Sequence, residues 1–170
     1  MANVDKNQAV IDFLLTCPAV RDSYLYFNFT NAEDNNKQIV TTANEKSLNT
    51  AYIDGTVAKR YTFTLIDFKA MTPKPIVEGR TDENVDDMLQ VQELIDWVSE
   101  QNDLGIYPDF GVNNQIDSIR ALSENPNLNG IDSSISPALA KYSISIQIDY
   151  LDQSKAIWNK TKEEEKWESS

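Results

Sequence analysis

The clearest hydrophobic pattern in the chain runs over residues 140–151. Tyr142, Ile144, Ile146, Ile148 and Tyr150 alternate with Lys141, Ser143, Ser145, Gln147 and Asp149. A period of two predicts a strand with one buried and one wet face, as in an antiparallel sheet. A second strong strand is expected over 59–68, with Tyr61, Phe63 and Leu65 on one side and Arg60, Thr62 and Thr64 on the other. Ile66 and Phe68 then interrupt the alternation, which predicts a bulge or a stretch buried on both faces. The aromatic-rich segment 23–29 and residues 38–43 predict two more strands, joined as a hairpin across the polar cluster 31–36. A weaker strand is expected over 116–122.

Helical spacing appears twice. Over 82–103, Met88, Val91, Leu94, Ile95 and Val98 follow the 3.6-residue period, and Gly105 is placed to end the helix. Asp82, Glu83, Asp86 and Asp87 crowd its first turns, where acids gain roughly 0.3–1 kcal/mol each from the helix dipole at an exposed site. Over 4–15, Val10, Phe13 and Leu14 lie on one side, with Asn3 or Asp5 available as N-cap and Cys17-Pro18 as the stop. Residues 44–58, 71–79 and 123–137 read as connections. From Ser154 onward the chain is charged, and a frayed helix or disordered tail is expected, carrying Trp158 and Trp167.

These elements predict an α+β fold: an antiparallel or mixed sheet of about five strands, a short N-terminal helix and one long helix, with the helices on one face. They also predict a single domain over 1–153 and a charged tail over 154–170.

Charge and composition narrow the chemistry. The 170 residues hold 27 acids and 15 Lys+Arg, a formal charge of −12. That balance opposes broad binding to DNA phosphates, while suiting a wall that DNA passes without sticking. There is no histidine and a single cysteine, Cys17. Ser-His-Asp and Cys-His catalysis and histidine metal sites are therefore excluded, and Cys17 reads as a buried small hydrophobe. Phosphate-cradling glycine motifs are absent, as is the ligand pattern of a calcium loop. Among the carboxylates, Asp67 between Ile66 and Phe68 and Asp96 beside Trp97 are the candidates for an apolar context that would raise a pKa, and both are expected on the wet side of their elements. Neither a cofactor nor an enzymatic activity is expected. No apolar run is long enough to cross a bilayer, and the N-terminal residues lack the pattern of a signal peptide.

Five stretches carry a resemblance: Lys6-Asn-Gln-Ala-Val-Ile-Asp-Phe-Leu14, Asn31-Ala-Glu-Asp-Asn-Asn-Lys-Gln-Ile-Val40, Lys59-Arg-Tyr-Thr-Phe-Thr-Leu-Ile-Asp-Phe68, Val91-Gln-Glu-Leu-Ile-Asp-Trp-Val-Ser-Glu-Gln101 and Pro137-Ala-Leu-Ala-Lys-Tyr-Ser-Ile-Ser-Ile-Gln147. Together they resemble the minor capsid or tail proteins of phages and prophages of Gram-positive bacteria, here taken as tail terminators. The resemblance implies a tail-terminator-like fold and a homo-oligomer, a hexameric ring in the virion tail near the neck, assembled in the bacterial cytoplasm. Such a ring caps the tail tube, stops its polymerisation and meets the head-side connector. Its partners would be the tail tube protein and the neck protein, with DNA passing the channel without specific binding and no membrane involved. The family brings no catalytic residues.

On that reading the candidate subunit and tube contacts are Asn49, Tyr52, Asp54, Lys74 and Trp158, in the long polar connections and the tail. Asp82, Glu83, Asp86 and Asp87 are the candidate channel-lining acids. Other readings are a head–tail joining protein, the tube protein itself, a small enzyme and a monomeric binding module of a bacterial host.

Overall fold

The computed structural model describes residues 4–29, 31–41, 45–80 and 82–159. Its frame is one pair of strands, β4 (Val57–Ala70) and β7 (Leu139–Asp152), joined antiparallel through fourteen consecutive residue pairs from Val57↔Asp152 to Ala70↔Leu139. The register has no shift, so the alternation read from the sequence continues across both strands. Tyr61, Phe63 and Leu65 share a face with Tyr142, Ile144, Ile146, Ile148 and Tyr150, and all eight are buried. Each such side chain stabilises the fold by roughly 1.5–3 kcal/mol relative to exposure.

Shorter strands line both outer sides of this pair, two to a side and end to end. Along β4 lie β2 (Lys37–Val40), opposite 64–67, and β3 (Glu45–Ala51), opposite 57–61. Along β7 lie β5 (Asn114–Ala121), opposite 146–152, and β6 (Asn127–Asp132), opposite 139–143. The strand β1 (Leu25–Phe27) adds outside β2. The sheet is thus mixed and has seven strands among the described residues, in an α+β fold.

Several sequence expectations change. The five strands become seven, because 44–58 and 123–137 hold β3 and β6. Both are polar edge strands, and their weak alternation hid them. The predicted hairpin over 23–43 is wrong: β1 shrinks to three residues and pairs parallel with β2. Of the two expectations for the end of β4, the stretch buried on both faces holds and no bulge is present. Phe68, like Leu139, is buried on the face away from the core, so this end of the sheet is covered on both sides. Residues 154–155 turn and 157–159 are helical, with Ala156 fully buried, so of the two expectations for the start of the tail the helix holds. Trp167 and the rest of the predicted tail lie outside the described residues, as do Asn3 and Asn44.

The helices pack on one face. In α1 (Lys6–Leu14), Asp5 is the N-cap, accepting from the Asn7 and Gln8 amides, and Ala9, Val10, Phe13 and Leu14 turn inward. Pro18 opens the short α2 (Pro18–Arg21), beside buried Cys17. In α3 (Glu83–Leu104), Asp82 caps the start and Gly105, at φ 67°, ends it in the left-handed conformation. Val91, Leu94, Ile95 and Val98 are buried, but Met88 is 40% exposed because the core ends before the first turns.

There, polar groups replace apolar ones. Asp67 and Lys69 continue the core face of β4 and are buried, as is Lys37 on β2. The expectation that Asp67 faces water is overturned, because its register partner Tyr142 lies under the helix layer. Lys37 Nζ lies 3.3 Å from one Asp67 oxygen, and Lys69 Nζ lies 4.0 Å from the other. Lys69 also donates to Asn35 at 2.9 Å and to Gln90 of α3 at 3.1 Å. Burial pushes the Asp67 carboxyl up and the Lys37 amine down, while their mutual attraction opposes both shifts. Asp96, by contrast, is exposed as expected.

Replacing Asp67 strands two buried lysines. We expect Asp67→Leu to destabilise the fold by roughly 3–5 kcal/mol in urea unfolding, and Lys37→Met with Asp67→Leu to recover most of that loss.

Candidate subunit interface

An interface between sheets begins with unpaired strand edges. The sheet has two free sides, β3 with β1 on one and β5 with β6 on the other. Of these, β3 is the most open: six of its seven residues are exposed and Leu48 is half-buried. Its register with β4 breaks between Ser47 and Ala51, and Asn49 within the break has φ 57°.

A dense polar network fixes the start of β3. The Glu45 carboxylate accepts from the Tyr150 hydroxyl and lies 3.3 Å from Lys6 Nζ and 3.8 Å from Lys59 Nζ. Burial raises its pKa, but the Tyr150 bond and the two lysines outweigh this and hold the carboxyl below its ordinary range. Lys59 also reaches Asp152 at 2.8 Å. For Asp152, partial burial is overcome by bonds from Lys59 and Ser154, and its pKa is lowered to about 2. Burial and the Glu45 bond push the Tyr150 hydroxyl far up. Aromatic edges close the site from inside, with Phe110 meeting Tyr61 at 5.7 Å and Tyr150 at 5.3 Å.

Beyond β3, the chain turns through 52–56 into β4. The Asp54 carboxylate accepts from the Thr56 amide at 2.9 Å, and the Asp54 carbonyl accepts from the Ile157 amide at 2.7 Å. The C-terminal turn is thereby pinned to the hairpin tip. Only glycine fits at 55: φ is 89°, and a Cβ would stand 2.3 Å from the Lys155 carbonyl oxygen. The two pinned segments expose Tyr52, Ile53, Ile157 and Trp158, with Ile53 fully in solvent. Exposed apolar side chains gathered at one corner are the mark of a contact surface.

The residues expected at interfaces therefore divide. Tyr52, Asp54 and Trp158 come together at this corner, and Asn49 stands on the adjoining edge. Lys74 lies beyond the opposite end of β4, about 40 Å away at 3.3 Å per residue, where it pairs with Glu83 at 3.8 Å. The acids considered for the channel share that far end, and two of them have local duties. Asp82 caps α3, and Glu83 accepts from the Thr72 hydroxyl at 2.6 Å, which lowers its pKa. Asp86 is exposed, while Asp87 is half-buried and shifted upward by burial.

The alternating pattern put Arg60, Lys141 and Asp149 on the wet face of the sheet, and strand register adds Lys46 and Arg120, which sequence reasoning missed. Strand register places Lys46, Arg60, Arg120 and Lys141 there, among Thr62, Thr64, Ser143, Ser145 and Gln147. Asp149 sits between two of the arginines, gripped by Arg60 at 2.7 and 3.1 Å and 3.9 Å from Arg120. The signal was the wet half of the alternating pattern, which is basic and hydroxyl-rich although the chain as a whole is acidic. No helix is long and apolar enough to cross a membrane, and no cluster of His, Cys, Asp or Glu is arranged to hold a metal among the described residues.

Two measurements check this corner. Gly55→Ala is expected to destabilise the protein by roughly 2–4 kcal/mol and to remove hydrogen-exchange protection at the Ile157 amide. Asp152, with its depressed folded-state pKa, contributes stability that is complete above the unfolded value near 3.8 and lost as pH falls through about 2. Acid titration of stability over that window should show a loss larger in the native chain than in Asp152→Asn, by up to roughly 2.5 kcal/mol.

Comparison of the chain with protein-family models and with curated proteins gives no match.

Proposed function

We propose that this protein is a structural subunit of a phage tail, a terminator that closes into a ring on the end of the tail tube and meets the head-side connector. The observation that carries the reading is the placement of the two free sheet edges. They lie on opposite sides of one sheet, and β3 runs antiparallel to β5 in direction, since each is antiparallel to its own central strand and β4 is antiparallel to β7. Copies standing side by side in the same orientation therefore bring β5 of one against β3 of the next, in antiparallel pairing. Such a contact is heterologous, and it closes into a ring when the rotation between copies divides the circle. The resemblance noted in the sequence supplies the hexamer and the position near the neck.

In that ring the sheet is the wall. Its open face turns inward, with hydroxyls and a modest positive charge, since Asp149 offsets only part of the charge of Arg60 and Arg120. The Tyr52, Ile53, Ile157 and Trp158 corner and the Lys74 and Asp82–Asp87 end become the two rims. One rim meets the tube and the other the connector, and the acids at 82–87 border the channel mouth.

Sedimentation and electron microscopy of the purified chain test this. Single annuli are expected at high concentration, and no stacked tubes. A particle that stays at 19.3 kDa up to millimolar concentration overturns the reading. Neighbouring residues of a strand direct their N–H groups to opposite sides, so one of Lys46→Pro and Ser47→Pro removes a bond to β4 while the other removes an outward donor. The outward variant should disperse the rings and leave the monomer folded.

A further inference from the structure

We propose that Lys69 and Asn35 become joined by an isopeptide bond, formed when the Lys69 amine displaces ammonia from the Asn35 carboxamide while Asp67 moves the protons. Lys69 Nζ lies 2.9 Å from Asn35 Oδ1, and Lys37 Nζ lies 3.4 Å from the same atom. Two ammonium groups converge on this end of the carboxamide, so it is the oxygen that faces them. Asp67 presents one carboxylate oxygen to Lys37 at 3.3 Å and the other to Lys69 at 4.0 Å. Three of the four side chains are shielded from water: Asp67 is 1% exposed, Lys37 2% and Lys69 5%. Asn35 alone reaches the surface. The backbone holds the reacting pair together. The Asn35 amide donates to the Phe68 carbonyl at 2.7 Å, the Phe68 amide to the Asn36 carbonyl at 3.0 Å, and the Ala70 amide to the Asp34 carboxylate at 2.7 Å. Residues 34–36 are thus fixed along the end of β4, while Gln90 of α3 holds the Lys69 amine from another side at 3.1 Å. Fixed proximity of this kind turns a slow encounter of amine and amide into a unimolecular step.

Each group has a part in the exchange. Asp67 Oδ1, the oxygen facing Lys69, accepts no hydrogen bond among the described residues. Burial pushes this carboxyl up, which makes it a stronger base. A closing of about 1 Å brings it to proton-transfer distance, and it takes a proton from the Lys69 ammonium. The freed nitrogen pair attacks the Asn35 carboxamide carbon. The new C–N bond forms, and negative charge passes to Asn35 Oδ1, beside the Lys37 cation. Asp67 then gives its proton to the Asn35 side-chain nitrogen and takes one from the former amine. The carbonyl re-forms, the old C–N bond breaks, and ammonia leaves through the exposed turn, carrying the last proton away as ammonium. Nothing is oxidised or reduced. The exchange also removes one buried cation. Asp67 faces two lysines, and neither Asp34 nor Asp87 nearby lies within ion-pair distance of them. Afterwards Lys37 and Asp67 stand as a matched pair.

This inference does not depend on ring formation and is read on the full-length protein. Mass spectrometry of the denatured chain is expected to give a mass about 17 Da, one ammonia, below that of the sequence. Tryptic digestion should yield a branched peptide joining residues 22–37 to 61–80 through Asn35 and Lys69. Lys69→Arg keeps the cation and removes the nucleophile. Asn35→Gly suits the left-handed backbone there, at φ 63°, and removes the carboxamide. Both variants should have their full sequence mass and no branched peptide. Asp67→Asn with Lys37→Met removes the base together with its paired cation, and should leave at most about one per cent of the chains cross-linked. Thermal melts establish that each variant is folded. The proposal is overturned if the native chain has its full mass, if the lost ammonia maps to residues 22–37 alone, or if the bond forms as completely without Asp67.

Discussion

The fold depends on the unbroken antiparallel pairing of β4 with β7. Fourteen residue pairs in constant register carry every alternate side chain to the same face. A slip of one residue would turn Tyr61, Phe63 and Leu65 toward water and bring Arg60 and Thr62 beneath the helices. The helices add nothing to the register. They cover the apolar face that it creates, and the remaining strands take their positions from the outer edges of the two long ones.

This dependence explains where the structure is polar inside. The alternation of β4 does not stop where its apolar residues stop, so Asp67 and Lys69 are carried beneath the helix layer as the next core-facing positions. An isolated charge there would be costly to desolvate. Lys37 from β2, Asn35 and Gln90 of α3 enclose the pair, so the cluster ties one end of the sheet to the start of the long helix. At the other end, the Lys6–Glu45–Lys59–Asp152 chain does the same for α1, β3 and β7 in a more exposed setting. Specificity at both ends comes from matched charges, and stability in the middle comes from burial.

Charge is also divided by face. Lys46, Arg60, Arg120 and Lys141 stand on the open side of the sheet, whereas Lys37, Lys59 and Lys69 stand on the core side, each beside a carboxylate. In the proposed ring, the hydroxyl-rich open face turns toward the channel, the helices remain outside, and the strand edges are used for closure.

Amino-acid order alone determined the two long strands, both principal helices and the Gly105 stop, and narrowed the first N-cap to Asn3 or Asp5, because period and capping are local properties; that Asp82 caps the long helix came from the structure. It also determined the absence of histidine chemistry, a fact of composition. The tertiary structure decided the rest. The strands β3 and β6 exist because β4 and β7 are longer than their first neighbours and leave edges to fill, which no pattern within 44–58 or 123–137 records. The parallel pairing of β1, the burial of Asp67 and the joining of Tyr52 to Trp158 are likewise matters of position. A side chain's environment is set by what lies across from it, and that neighbour comes from a distant part of the chain.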